Sequence, residues 1–319
     1  MPATVLVLGA RGRFGLATAR AFARAGWRVL GQIRPGAPAP AEPAAQWLAL
    51  DLHDTQALAR AAAQASVVVH AVNPVYTNQA WQAQSLPLLD DAIAVTRALG
   101  ATLMLPGNVY NFGPAMPALL REDTPQAGGT VKGDVRIAME QRLQHSGVKS
   151  VVIRAGDFFG SGEGTWFDTV CVKNIAKGAL TYPGARDVTT AWAYLPDLGR
   201  AFVAVAEKAA TLQPFEVFHF AGHQISAQRW MDVLTPIARK QGWTQGALTL
   251  RGLPWGVMRI GALFVPTWSA LCEMRYLWKT PHALANNKLT ALIGAEPHTP
   301  LEVAAQSALA DLGLLAARQ

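Results

Sequence analysis

Short apolar runs, each ended by a glycine or a polar turn, alternate in the first half of the chain with segments whose apolar residues recur at helical spacing. The runs at 5–8, 27–33, 47–50, 67–71, 102–105 and 150–154 read as strands, the first of them buried on both faces. Between them, 16–25, 55–65, 85–99 and 130–145 read as helices, with Gly26, Gly100 and Gly147 as stops. This alternation predicts βαβ units and a parallel sheet flanked by helices, with ligands at the carboxyl ends of the strands. The Pro/Ala-rich stretch 35–45 reads as a loop, because strand-like sequence resumes at Trp47. Beyond Gly160 the pattern loosens. A helix is expected over 166–177, another from Asp197, a strand over 216–220 and a helix over 226–241. From Gly242 onward Trp, Pro and Leu dominate, which predicts a smaller, mainly helical lobe closing the cleft. The expected division is a sheet domain over 1–222, with 161–185 contributing to the cleft, and a substrate-binding lobe over 223–319.

Composition narrows the class. The 319 residues are 51% hydrophobic and 15% charged, enough for a large buried core. The net charge of +7 favours anionic partners such as phosphorylated cofactors or acyl-CoA-like substrates, and a solvated basic surface explains it equally well. No Lys/Arg cluster interleaved with aromatics marks a nucleic-acid face. Cys171 and Cys272 lie in apolar stretches and make no disulfide framework. No His/Cys pattern suggests a metal, and no G-x-S-x-G elbow a hydrolase. The chain enters a strand with no basic leader or cleavage site, so a cytoplasmic location is expected. The apolar stretch 253–272 carries Arg259 at its middle, with Pro254 and Pro266 near its ends, which argues against a membrane span. It reads as an amphipathic piece packed on the protein or lining a greasy pocket, with peripheral membrane contact a lesser option.

The clearest chemical signal is Gly9-x-x-Gly12-x-x-Gly15, directly after the first strand and opening a helix. Glycine suits the tight turn, the approach of a pyrophosphate to the backbone, and close helix–strand packing. The helix start offers free N–H groups to phosphate. Further marks follow in order: Asp51-Leu52, the strand ending at His70-Ala71, Val109-Tyr110, the segment Arg154 to Gly160, and Tyr194 to Asp197. Together these resemble the short-chain dehydrogenase/reductase superfamily, in its extended or atypical epimerase/dehydratase-like form. The resemblance implies a Rossmann doubly wound sheet and an NAD(P) site built from Gly9, Arg11, Gly12, Arg13, Phe14, Gly15, Arg34, Asp51, Leu52, Ala71, Lys132 and Arg154. The second strand ends in Arg34 with no carboxylate for a ribose hydroxyl, and Arg11 and Arg13 add charge, so NADP is expected in preference to NAD.

The superfamily's Ser and Tyr-x-x-x-Lys are not matched. With Glu140 as anchor, the Tyr position falls on Lys132 and the Lys position on Arg136, and the Ser position falls on Pro106 or Gly107. One turn apart on a helix, Lys132 and Arg136 share a face, and the guanidinium would lower the lysine pKa towards a usable acid or base. Asn108 could bond a substrate oxygen, and Tyr110 is a second proton donor. Each also has a plainer reading: Lys132 as a solvated helix lysine, Tyr110 as a packed loop tyrosine. His70 reads as a satisfied buried histidine. Seven of the ten tryptophans lie beyond residue 165, which would suit a flat or greasy substrate if they gather over the cleft. The main expectation is an NADP-dependent oxidoreductase on a carbonyl/alcohol pair of a small molecule. The alternatives are a sugar-nucleotide epimerase/dehydratase and a non-catalytic dinucleotide sensor. A homodimer is an open option.

Overall fold

The computed structural model describes residues 2–41 and 45–315; part of the expected 35–45 loop and the last residues of the expected lobe lie outside them. Five strands open the chain: β1 (Thr4–Leu8), β2 (Arg28–Ile33), β3 (Ala45–Ala49), β4 (Ala65–His70) and β5 (Thr102–Gly107). With Ser150–Arg154 and Phe215–His219 they form one seven-stranded sheet. β1 lies between β2 and β4, and β5, Ser150–Arg154 and Phe215–His219 continue outward from β4. Every pairing in this sheet is parallel. Val7 pairs with Gly31 on one side and Val69 on the other. Winding reverses between β1 and β4, so a crevice opens at their carboxyl ends.

Alternation along β1 assigns the two cores. Val5 and Val7 face α1 (Arg13–Arg24) and, later in the chain, α5 (Leu195–Ala206), packing with Phe14, Phe22, Leu198 and Phe202. Leu6 and Leu8 face the opposite layer of α2 (Thr55–Ala61), α3 (Asn78–Leu99) and α4 (Val131–Gln144), packing with Leu58, Leu89 and Leu143. A period of two is what sends neighbouring residues to opposite cores. A third core forms where α6 (Ala227–Lys240) and the helix Leu301–Asp311 cover a small three-stranded sheet. Trp230 is its centre, 4.8 Å from Phe167, 5.3 Å from Phe159 and 5.5 Å from Trp192 between ring centroids.

Two elements differ from expectation. α3 starts at Asn78, not at 85, because the Thr77 hydroxyl caps it by accepting from Ala80 N at 3.2 Å. Pro87 lies inside it. The helix expected over 166–177 is a π turn, Phe167–Cys171, followed by a 3-10 turn, Ile175–Lys177. Burial of Phe167, Cys171 and Ile175 against the Trp230 core holds this shape, and Gly178 in the left-handed region ends it.

The late segment divides. Trp255–Gly261, Pro266–Glu273 and the 3-10 turn Met274–Trp278 sit over the sheet's carboxyl ends in one cluster with Trp81 and Tyr110. The cap is tied down by polar contacts. Trp255 Nε1 donates to Pro183 O at 2.9 Å, and the two Glu273 carboxylate oxygens accept from Val131 N and Asn78 Nδ2 at 2.9 and 2.8 Å. The helices Asn287–Ile293 and Leu301–Asp311 instead pack on the sheet edge and on α6, away from the cleft. Among the described residues no helix is long and apolar enough to cross a membrane.

Candidate active site

A cavity of about 710 Å³ occupies the crevice. One end is built by the glycine turn, where Gly12, Arg13 and Phe14 line it. Gly9 has φ +73°, a conformation that favours glycine, and a Cβ at Gly15 would stand 2.5 Å from Gly9 O. Close contact of α1 with β1 therefore requires Gly15. No side chain caps α1, and its first turn carries no acid, so its amides and positive dipole end face the cavity uncompensated. Arg13 arches over this end and donates to Glu163 O at 2.7 Å; its buried Nε has no partner. Burial pulls its pKa below the ordinary value, against the pull of Asp168. An uncapped helix start and an unpartnered buried guanidinium N–H are what a pyrophosphate satisfies, so these residues fit a dinucleotide.

Gln32 braces the turn. Its Oε1 accepts from Gly9 N at 2.9 Å, and its Nε2 donates to Leu50 O at 2.8 Å. The buried amide thereby links the turn to the segment following β3. Arg34 and Arg11 are exposed and do not line the cavity. Asp51 is exposed and accepts from His53 N at 3.0 Å, while Leu52 is buried beside it. Ala71 lines the cavity after β4.

The other end is aromatic and titratable. Tyr76, Trp81, Asn108, Tyr110, Arg136, Asp157 and Trp166 line it, and Thr267 and Leu271 of the cap form its roof. Asn108 Oδ1 accepts from Tyr110 N at 3.0 Å, which leaves its Nδ2 for a ligand. Arg136 donates to Pro106 O at 3.2 Å and lies 5.1 Å from the Trp81 ring centroid. Asp157 accepts from the Trp278 indole at 3.0 Å; burial pushes its carboxyl up to about 7, and the indole opposes this. The Tyr110 hydroxyl is pushed up to about 12 by burial and then by Asp157, with Tyr76 and Arg136 acting against the shift. His70 also faces the cavity. Burial and then the Arg136 guanidinium push it down to about 3, so it is neutral, and its Nδ1 lacks a partner, contrary to the expected satisfied histidine.

Two residues stand elsewhere than expected. Arg154 is not at the cavity. It is buried in a bidentate pair with Glu140, Nε to Oε1 at 3.0 Å and Nη2 to Oε2 at 2.6 Å, and Nη1 lies 3.3 Å from His219 Nε2. A guanidinium so engaged cannot also bind a cofactor. Lys132 is buried but sits behind the wall, its Nζ 4.4 Å from the Tyr76 ring centroid and 5.5 Å from that of Trp81. It donates to Asn78 Oδ1 at 2.5 Å. Burial pulls its pKa down to about 8, opposed by Glu273; Arg136, the cause expected from the helix spacing, is not what moves it.

Sequence reading missed Gln32 and Tyr76, and it gave Asp157 and Trp278 no role of their own within the Arg154–Gly160 segment and the late tryptophans. Asp157 was open to discovery, as the one acid inside the apolar segment Arg154–Gly160. Tyr76 carried no signal, because its placement depends on where α3 begins.

Fold and site together define an NAD(P)-dependent enzyme of the oxidoreductase and epimerase class. The chain belongs to the family described as the RmlD substrate binding domain, whose profile matches residues 3–245. No curated protein matches it by sequence. Among similar solved structures is a provisionally named epimerase of Burkholderia cenocepacia J2315, 21% identical, with a TM-score of 0.76 over 97% of this chain and 98% of that one. A UDP-glucose 4-epimerase of Brucella ovis in complex with NAD is 16% identical, with a TM-score of 0.74 over 98% and 99%. The enzyme WbmH of Bordetella bronchiseptica in complex with NAD+ is 14% identical, with a TM-score of 0.72 over 98% of each chain. These complexes, with two further ones, overturn the expected preference for NADP: in each, the dinucleotide held by the similar structure is NAD. An arginine just after the second strand, exposed as Arg34 is, was too little to decide the matter.

Proposed function

We propose that the protein is an NAD-dependent epimerase or dehydratase acting on a nucleotide sugar or a molecule of like build. The observation that carries this reading is the continuity of the crevice cavity. It joins an uncapped, glycine-lined phosphate end to an end where Tyr110, Arg136 and Asp157 meet. The sugar-nucleotide reading draws more support from the family and the similar epimerases than the general carbonyl/alcohol reading does.

In this reading the amides of the α1 start and Arg13 would hold the pyrophosphate, Asp51 and Leu52 would serve the adenosine, and Ala71 would contact the cofactor from the cavity wall. When bound, NAD would supply the hydride acceptor and donor for two-electron oxidation and re-reduction of a substrate carbinol. Asp157 takes the hydroxyl proton, since a carboxyl titrating near 7 is half ionised at neutral pH and can accept and return it. Arg136 faces the developing oxyanion, and Asn108 Nδ2 orients the sugar. Tyr110 relays the proton only with help, because its hydroxyl holds its proton to about pH 12. Lys132 is a positioning residue that fixes Tyr76 through its ring contact and α3 through Asn78.

The test is calorimetric titration of the protein with NAD and NADH, then chromatography of UDP- and dTDP-sugars after incubation. Binding of NADH with conversion of at least one sugar nucleotide is expected. Failure to bind either dinucleotide overturns the proposal, and binding with no conversion across the panel supports the sensor alternative instead.

A further inference from the structure

The cap exposes an apolar tip. In Trp255–Gly261 the inward residues Trp255 and Met258 are buried in the aromatic cluster, so water should meet polar residues on the outer side. It meets Val257 and Ile260 instead, and the turn to the next helix adds Leu263, Phe264 and Val265. These five side chains are 38% to 82% exposed, and they include most of the large exposed hydrophobics of the described residues. The tip is also one-signed. From Gly242 to Cys272 there is no carboxylate, while Arg251 and Arg259 are both exposed. Arg259 sits between Met258 and Ile260, at the edge of the apolar tip.

We propose that this hairpin docks the protein on an anionic lipid bilayer surface, with Val257, Ile260, Leu263 and Phe264 inserted among the acyl chains and Arg259 and Arg251 at the headgroups. Interfacial binding takes its strength from buried apolar area plus attraction to anionic lipid, and the tip has both. The charge argues for a lipid partner over a second copy. A symmetric pairing would set the same arginines against their own images. A stable dimer also needs about 20–30 residues a side, far beyond a convex turn of this size. Docking bears on the cavity, since the helix that follows the tip carries Thr267 and Leu271 of its roof. The inference does not depend on the reaction proposed above.

Full-length protein is sedimented with vesicles of phosphatidylcholine, with and without phosphatidylglycerol, and its mass is measured by light scattering. Binding to the anionic vesicles is expected, weakened by salt. Leu263→Asp/Phe264→Asp should abolish it, and Arg259→Gln should weaken it about five-fold, the effect of one basic residue near an anionic surface. All three side chains are exposed, so the variants should keep the native circular dichroism. The proposal is overturned if neither vesicle binds, if the double variant binds as well as the parent, or if the parent is a dimer that the double variant dissociates.

Discussion

Replacing Asp157 by Asn should make the protein more stable at pH 8 and much less active. The carboxyl titrates near 7 in the fold and near 3.8 when unfolded, a shift of about three pKa units. At about 1.4 kcal/mol per unit, this is about 4 kcal/mol as an upper bound. The residue faces a cavity that water can enter, so about 1–3 kcal/mol is the expected yield. The sign follows from proton binding. A carboxyl with a raised folded pKa holds more protons folded than unfolded, so its contribution is fully present below pH 4 and is lost as pH rises to about 7. Asparagine never ionises, and its side-chain oxygen can still accept from Trp278. Urea unfolding of both proteins at pH 4, 6 and 8 should therefore give midpoints that nearly coincide at pH 4 and separate at pH 8, with the variant higher. Turnover should fall about 10²–10⁴-fold, the usual worth of a general base. The parent's rate should rise with pH through an inflection near 7. A midpoint difference independent of pH, or a variant less stable at pH 8, would refute the raised carboxyl and with it the proton role.

Two other substitutions separate packing from chemistry. Arg154→Met leaves the buried Glu140 with only the neutral amides of Asn111 and Gln126 as partners and should cost about 3–5 kcal/mol of stability; adding Glu140→Leu should recover much of that, as a denaturant double-mutant cycle would show. Native Arg154→Met should bind NADH like the parent, and a large loss of affinity by calorimetry would return the arginine to the cofactor site. Lys132→Met should lower kcat by about ten-fold or less while leaving NADH affinity within a few-fold, because the lysine touches Tyr76 and not the cavity; a loss of 10²-fold or more in steady-state assays would make it the proton carrier after all.

The strands and helices of the sheet domain were written in the period of the apolar residues. Val5 to Leu8 could only be a strand buried on both faces, and Gly9, Gly12 and Gly15 could only be a tight turn opening a helix, because these are local consequences of side-chain alternation and of a missing Cβ. The sequence likewise marked Lys132, Arg136, Asn108 and Tyr110 as catalytic candidates, and all but Lys132 line the cavity. Roles set by contact between distant segments were beyond it. Arg154 and Glu140 are 14 residues apart, and nothing local says that they pair and so withdraw the arginine from the cofactor. Whether Lys132 faces the cavity or stands behind it depends on Tyr76 and Trp81 of a helix start more than 50 residues earlier. Asp157 becomes a group that titrates near neutrality only when the tertiary fold buries it, against the opposing hydrogen bond from Trp278, 121 residues on. Pattern determines which backbone forms, since each element draws on its own neighbours; desolvation and pairing, which set the chemistry, exist only after the chain has brought far segments together.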